Sequence, residues 1–132
     1  MGKLTEINIR DLEEGDTVGV AYAVHLGGNY FRYPQIKSMK IARLSPRKHK
    51  VVMTNGMVFN RGEEPLYELD REAERQDSVT TAAQNMREKL KLFCTWAKDG
   101  SLYRVKDDTI VQISNMFDFI VEEVRKEQYR ND

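Results

Sequence analysis

The strongest chemical signal in this sequence is a set of eight cations between Thr17 and Gly62, a segment that contains no Asp or Glu. Lysine and arginine bind phosphate oxygens, so cations without neighbouring carboxylates are typical of a surface that binds a polyanion. Aromatic residues occur in the same segment, and aromatic rings stack on unpaired bases. The sequence therefore predicts contact with nucleic acid through two groups of residues: Lys40, Arg43, Arg47, Lys48, Lys50 and Arg61 for phosphates, and Tyr30 and Tyr33 for bases.

The charges of the chain are divided between two opposite regions. The sequence has 21 Lys and Arg and 21 Asp and Glu, yet residues 17–62 carry a net charge of +8 and the remainder carries −8. This separation of charge has two interpretations. In one of them the basic half faces a polyanion, and in the other the two halves attract each other within the chain or in a salt-sensitive homodimer. The aromatic residues also have a structural interpretation, since residues at strand spacing fill the core of a barrel.

The acidic region supports a hypothesis of a different class, in which the chain inhibits a protein that binds nucleic acid. Its carboxylates would occupy the channel of that protein in place of phosphates. The candidate partner-binding residues are Glu68, Asp70, Glu72, Glu74, Asp118, Glu122 and Glu123. Carboxylates on one exposed face would favour this mimicry, whereas carboxylates spread evenly around the helices would be ordinary solubilising charge.

Catalytic and metal-binding groups are sparse in the sequence. His25 and His49 have no carboxylate at the spacing of a catalytic dyad or a metal site. Cys94 lies on the apolar face of a predicted helix, where a cysteine behaves as a small hydrophobic residue. The glycine patterns of phosphate and dinucleotide loops are absent. We therefore expect a protein that is not an enzyme and has no cofactor and no metal.

Length and composition limit the class of protein. A chain of 132 residues fits one domain of ordinary size with an adequate core. A single cysteine excludes an internal disulfide bond and is typical of a reducing compartment. No apolar run approaches the roughly 20 residues that cross a bilayer, and the N-terminus lacks the apolar core of a signal peptide. We expect a soluble cytoplasmic protein with no membrane partner.

The first half of the sequence has the patterns of short antiparallel strands. Asn55-Gly56 between apolar runs is a strong hairpin signal, because a type I′ turn needs positive φ at both central positions. Leu66–Leu69 is either a closing strand or a first helical turn, and we favour the strand. Four or five strands within about 50 residues predict a small SH3-like antiparallel barrel. The other predicted strands are Thr17–Val24, Tyr30–Tyr33, a long bent strand Ile36–Leu44, Lys50–Thr54 and Met57–Asn60.

The second half has the apolar periodicity of two amphipathic helices. The first begins near Ser78, with Asp77 or Ser78 as its N-cap, and ends at Asp99-Gly100. The second is capped by Asp107 or Asp108 and frays in the charged residues 125–132. Strands followed by helices predict the α+β class, with a barrel in residues 1–70 and a helical pair in residues 71–132 that packs on the barrel or on a partner.

One segment also resembles a known group of proteins. Lys40-Ile41-Ala42-Arg43-Leu44-Ser45-Pro46, followed by an apolar strand and Asn55-Gly56-Met57-Val58-Phe59-Asn60-Arg61, is similar to a pattern in small bacteriophage and plasmid proteins. In those proteins this segment resembles an SH3-like barrel, often preceded by a turn like Gly15-Asp16. The resemblance implies a mobile-element origin and a binding role. With that origin, the inhibitor hypothesis concerns a host nuclease or a defence complex of the anti-CRISPR or anti-restriction type.

Overall fold

A computed structural model describes residues 2–130, and eight strands and two α-helices follow one another along that part of the chain. The α+β class predicted from the sequence is confirmed, with a curled antiparallel sheet that forms a half-barrel. The strands are β1 (Glu6–Ile7), β2 (Thr17–Tyr22), β3 (His25–Leu26), β4 (Asn29–Tyr30), β5 (Gln35–Leu44), β6 (Lys50–Met53), β7 (Val58–Asn60) and β8 (Leu66–Tyr67), and the helices are α1 (Arg71–Asp99) and α2 (Asp107–Arg130). Two 3₁₀ segments, Ile9–Asp11 and Ser101–Arg104, lie between them.

The sheet is organised around the long strand β5. Six strands pair in the order β1-β8-β2-β5-β6-β7, while β3 and β4 form a separate hairpin. The first half of β5 pairs with β2, and after a bulge between Ile41 and Arg43 its second half pairs with β6. A bulge bends the strand and increases its twist. The bent strand predicted from the mixed pattern of residues 36–44 is therefore confirmed.

The inner surface of the half-barrel holds the apolar core. Residues at alternate positions of β2, β5, β6 and β7 point inward, because successive side chains of a strand lie on opposite faces. The short strands on either side of Asn55-Gly56 both contribute to this core. The predicted type I′ turn between them is wrong, because Gly56 has a positive φ (89°) and Asn55 does not. The Gly56 amide instead donates a hydrogen bond to the Met53 carbonyl at 2.9 Å, so the turn is centred on Thr54 and Asn55. The fully buried side chains of this core are Val18, Ile41, Val51, Met53, Phe59 and Leu66.

The strand assigned to Leu66–Leu69 is confirmed as β8, but the predicted start of the first helix is wrong. Helix α1 begins at Arg71, and its N-cap is Asp70, whose Oδ1 accepts a hydrogen bond from the Ala73 amide at 2.9 Å. The apolar periodicity did not indicate the first two turns of α1, because the residues buried there include the polar Gln76. Asp77 is not a cap, since its carboxylate instead accepts a hydrogen bond from the Ile36 amide at 2.8 Å.

The chain divides into two compact units, Met1–Arg87 and Glu88–Asp132, so the division falls inside α1, beyond its start at residue 71. The first unit contains the sheet and the first part of α1. The second contains the rest of α1 and α2. The predicted end of α1 is confirmed, because Gly100 follows it with a left-handed φ of 84°.

Helix α2 begins at Asp107 and continues through the charged residues to Arg130 instead of fraying from Arg125. Ion pairs between residues three apart join Lys126 to Glu123 and Arg130 to Glu127, and such pairs stabilise a helix. Residues 131 and 132 of the predicted frayed tail lie outside the described residues.

Candidate binding surface

The outer face of β5, β6 and β7 carries exposed cations beside two valines. Cross-strand partners place Arg43, Val52 and Val58 in one row on this face, while Lys50 and Asn60 form the next row. These positions alternate with buried residues of the same strands. The side chains of Arg43 and Lys50 are exposed, and Val58 keeps 49% of its surface accessible. The face therefore offers apolar contact and positive charge to the same ligand.

Register fixes the separation of the two cations on this face. Lys50 lies two residues before Val52, the cross-strand partner of Arg43, so Lys50 is the diagonal neighbour of Arg43. Diagonal neighbours in an antiparallel pair are roughly 7–8 Å apart. Two long cationic side chains at this spacing can contact successive groups of one extended anion.

The turn between β5 and β6 adds a third cation at the end of the face. The Ser45 hydroxyl oxygen accepts hydrogen bonds from the amides of His49 at 2.9 Å and Lys50 at 3.0 Å, which fixes the path of the turn. Arg47 is exposed on this turn and lines a shallow pocket with its neighbours. Lys40, exposed on β5, pairs in register with Thr17. We call Lys40, Arg43, Arg47 and Lys50 the basic face.

Lys48 is held away from the basic face. It has a left-handed φ of 52°, and its ammonium group donates hydrogen bonds to the backbone carbonyls of Arg10 at 2.7 Å and Leu12 at 2.9 Å. These carbonyls belong to the 3₁₀ segment and its C-cap. A cation there satisfies carbonyls that the segment leaves without internal partners. In this structure Lys48 therefore stabilises the fold.

Arg61 is also separate from the basic face. It is half-buried and lines a cleft formed with β1 and β8, which also contains Glu6 and Glu64. Carboxylates in this cleft lower the local positive potential, so a phosphate would meet both signs of charge there. Neither Arg61 nor Lys48 joins the four cations of the basic face.

The two candidate stacking residues lie at the other end of β5. Tyr30, 70% exposed, is on the β3–β4 hairpin, and its ring packs edge-on against His25 with 4.3 Å between centroids. This hairpin precedes the ten-residue strand β5, whereas Arg47 follows it. At about 3.3 Å per residue, such a strand is roughly 30 Å long before bending. The structure therefore does not bring Tyr30 into a compact site with the turn cation.

Tyr33 is held between two arginines. The Arg75 guanidinium donates a hydrogen bond to the Tyr33 hydroxyl at 3.3 Å and lies 5.0 Å from its ring centroid, and Arg32 lies 5.5 Å from the same centroid. The hydrogen bond from Arg75 is the main cause that lowers the pKa of Tyr33. These contacts link the hairpin to α1, and both cation–π partners cover the ring that a base would need for stacking.

The cations of the basic face have no carboxylate neighbours that neutralise them directly. Among the described residues, none of the four takes part in an ion pair, whereas Arg75 binds Glu72 at 2.7 Å. The charge split along the sequence does not separate the two compact units, because Met1–Arg87 contains 13 Lys and Arg and 12 Asp and Glu. The positive potential is therefore local to a face of the first unit.

The acidic candidates are divided between the two compact units. Glu68, Asp70, Glu72 and Glu74 belong to the first unit, where Asp70 caps α1 and Glu72 binds Arg75. That arginine lowers the pKa of the Glu72 carboxyl, chiefly through its hydrogen bond. The remaining candidates, Asp118, Glu122 and Glu123, lie on α2 among basic residues. The role of these carboxylates in binding a protein partner stays a prediction.

Val52 and Val58 are the members of the surface that sequence reasoning did not identify. They share strand parity with Lys50 and Asn60, and this alternation was present in the sequence. Two other kinds of feature are absent from the part of the chain that the structure describes. That part holds no cluster of His, Cys, Asp or Glu that would bind a metal ion, and its helices are too short or too polar to cross a membrane.

Comparisons of the chain with protein-family models, with curated proteins and with solved structures give no match. The resemblance to small bacteriophage and plasmid proteins therefore stays a prediction. Among the described residues, the basic face is the most distinctive group.

Proposed function

We propose that this protein binds nucleic acid through the basic face and does not catalyse a reaction. The observation that carries the proposal is the placement of four exposed cations without ion-pair partners among the described residues, three on β5 and β6 and one on the turn that joins these strands. Phosphate contacts give affinity without sequence selectivity, since they do not read bases. We therefore expect weak preference for sequence.

The two valines of the outer face favour single-stranded ligands. Val52 pairs with Arg43 and Val58 pairs with Val52, so both lie beside the cations and offer contact to exposed base or sugar surfaces, which a duplex hides in its interior. Single-strand binding commonly combines a cationic track with aromatic side chains on which bases stack. Here the two valines would supply apolar contact without stacking. Tyr30 and Tyr33 are not needed for this mode, and contact between them and a base stays a prediction.

The proposal is tested by fluorescence anisotropy with a labelled single-stranded oligonucleotide at 50 and 200 mM salt. If four phosphates are neutralised, a slope of about −0.7 per phosphate predicts a roughly 50-fold loss of affinity over this range. The variant Arg43→Glu/Lys50→Glu should lose most of the binding at 50 mM salt. A duplex of the same length measures the preference for single strands.

The matched control is Arg71→Glu/Arg87→Glu, which makes the same change in net charge at two exposed residues of α1 in the same unit. Its affinity should stay within about threefold of the wild type, because long-range charge effects are screened at this salt concentration. Equal losses in both variants would show that net charge alone drives binding. Undetectable binding of the wild type at 50 mM salt would refute the proposal.

A further inference from the structure

The second unit exposes its apolar side chains to an unusual degree. Within residues 88–130, which we call the helical unit, no side chain is buried. Fourteen of the nineteen large apolar side chains exposed in the described part of the chain belong to this unit. A helix in water is stabilised mainly by packing of its apolar face, so helices with nothing buried need a cover.

The exposed apolar area is large enough for a stable interface. The fourteen side chains are about half exposed on average, and an aromatic side chain has roughly 150–250 Å² to bury, so together they expose on the order of 1,000 Å² per chain, of which the seam of α2 is one part. A standard interface buries about 800 Å² per partner. The largest apolar patch of a typical monomer is only about 300–600 Å².

The contact between the two helices leaves this surface open. The rings of Phe93 on α1 and Phe117 on α2 meet edge-on with 6.4 Å between their centroids. Phe117 nevertheless keeps 38% of its surface exposed, and Ile120 and Val124 on the same side of α2 keep about half of theirs. Two helices alone therefore do not enclose the seam.

The seam of α2 has the spacing of a coiled coil. Its apolar residues are separated alternately by three and four positions, which keeps them on one side of the helix over two heptads. They are Ile110, Ile113, Phe117, Ile120 and Val124. Residues at these positions pack into holes formed by another helix, so the pattern indicates a helical partner.

We propose that a second copy of this chain covers the helical unit, with α2 packed antiparallel to α2 of the other copy and Phe117 at the two-fold axis. A two-fold axis at Phe117 pairs Ile110 of one copy with Val124 of the other, seven residues before and after Phe117. It also pairs Ile113 with Val121, four residues before and after Phe117, whereas Ile120 faces Ser114. An isologous interface makes each contact twice, so two different apolar pairs form on each side of Phe117.

The charges at the ends of α2 select the antiparallel orientation. Asp107 and Asp108 occupy the first turn, while residues 125–130 carry a net charge of +2. An antiparallel pair brings the acidic start of one helix to the basic end of the other, whereas a parallel pair brings like charges together. Between Asp108 and Asp118 the helix has no charge at all, as an apolar interface requires.

The dimer would complete a four-helix arrangement from two copies of the helical unit. Four helices enclose a core of seam positions that two helices leave exposed. The association is driven by apolar burial and should persist at high salt, unlike attraction between oppositely charged halves. It also places two basic faces in one particle, although the dimer does not depend on what those faces bind.

The test is the mass of the full chain by sedimentation and light scattering at 10 µM, in 0.1 and 1 M salt. We expect the mass of two 15.4 kDa chains in both conditions. The variant Ile120→Asp, which introduces a charge into the seam, should raise the dissociation constant at least 100-fold. The matched control Phe119→Asp lies outside the seam, is 62% exposed, and should remain a dimer.

Circular dichroism separates loss of the dimer from loss of the fold in these variants, because β-sheet signals from the first unit should persist. A monomeric wild type at 10 µM would overturn the proposal. A dimer that survives Ile120→Asp, or that dissociates equally in Phe119→Asp, would overturn it as well, since the seam would then not be the interface.

Orientation is tested by spin labels on single cysteines in a Cys94→Ser background. A 1.5 Å rise per residue predicts an axial separation of about 3 Å between labels at Asp118 of the two copies and about 33 Å between labels at Gln128. Label linkers broaden both distributions but preserve the difference. Similar short distances at both sites would indicate parallel helices and would overturn the antiparallel dimer.

Discussion

The hydroxyl of Thr80 is the most informative position at which to test how α1 is attached to the sheet. Thr80 is fully buried, and its Oγ lies 3.1 Å from the carbonyl oxygen of Pro34 and 3.3 Å from that of Tyr33. It also lies 2.9 Å from the carbonyl oxygen of Gln76 in its own helix. The one hydroxyl proton is therefore within reach of three backbone acceptors, two just before β5 and one, the nearest, in its own helix.

Replacing Thr80 with Val keeps the branched shape and removes the donor. Leaving a buried acceptor without its donor costs about 1–3 kcal/mol. Thr80→Ser keeps the hydroxyl and loses a methyl group, which costs about 0.8 kcal/mol for transfer. We therefore expect the free energy of unfolding to decrease in the order wild type, Thr80→Ser, Thr80→Val, with the Val variant about 1–2 kcal/mol below the wild type.

Urea unfolding followed by circular dichroism measures these differences. Thr81→Val is the matched control, because Thr81 is the next residue of the same helix and is exposed. It should change the free energy of unfolding by less than about 0.5 kcal/mol, as surface substitutions usually do. If Thr80→Val were as stable as the wild type, the hydroxyl would contribute nothing to the attachment and the reasoning would be refuted.

Three further changes test other contacts of the first unit. Lys48→Met removes the ammonium donor and should cost about 1 kcal/mol in urea unfolding, whereas unchanged stability would argue that this cation is free for ligands. Gly19→Ala brings a Cβ to 3.0 Å from two aliphatic side chains and should lower the melting temperature through overpacking of about 1–3 kcal/mol; an unchanged melting temperature would contradict this. Because Arg75 lowers the pKa of Glu72, the folded state gains stability from the ionised carboxyl above the ordinary Glu pKa. That stability is lost as pH falls through the lowered pKa. Urea unfolding at pH 7 and pH 3 should therefore show a larger loss for the wild type than for Glu72→Gln, and equal losses would contradict the assignment.

Local backbone chemistry explains which parts of the fold the sequence predicts. Gly56 marks its turn because few residues other than glycine accept its positive φ, and Gly100 ends α1 for the same reason. The pair Asn55-Gly56 therefore located the hairpin correctly but not its turn type, since Asn55 does not have a positive φ. The sequence indicated the bend of β5, because the apolar residues of positions 36–44 do not stay on one face of the strand. By contrast, β1 is two residues long and exists through its pairing with β8, a contact between residues about sixty positions apart that no local pattern encodes.

The sequence predicted the positive charge of the candidate site, but it could not predict which of the cations lie on the basic face. Lys48 and Lys50 are two residues apart in a basic run, yet one ammonium group binds backbone carbonyls and the other faces solvent. That difference arises from the left-handed backbone at Lys48, which turns its side chain toward a segment almost forty residues earlier. Tertiary placement of this kind requires the structure.

A salt titration can distinguish self-association of this protein from its binding to a polyanion. The opposite net charges of residues 17–62 and the remainder suggested attraction between halves of the chain, but the compact unit Met1–Arg87 is close to neutral. Self-association then has its best physical basis in the apolar seam, and polyanion binding has its best basis in the basic face. Salt weakens the second and leaves the first intact, because screening acts on charge while apolar burial does not depend on it. In one salt series, the dimer mass should therefore stay constant while the oligonucleotide affinity falls. A parallel decline of both would show that one electrostatic surface serves both contacts.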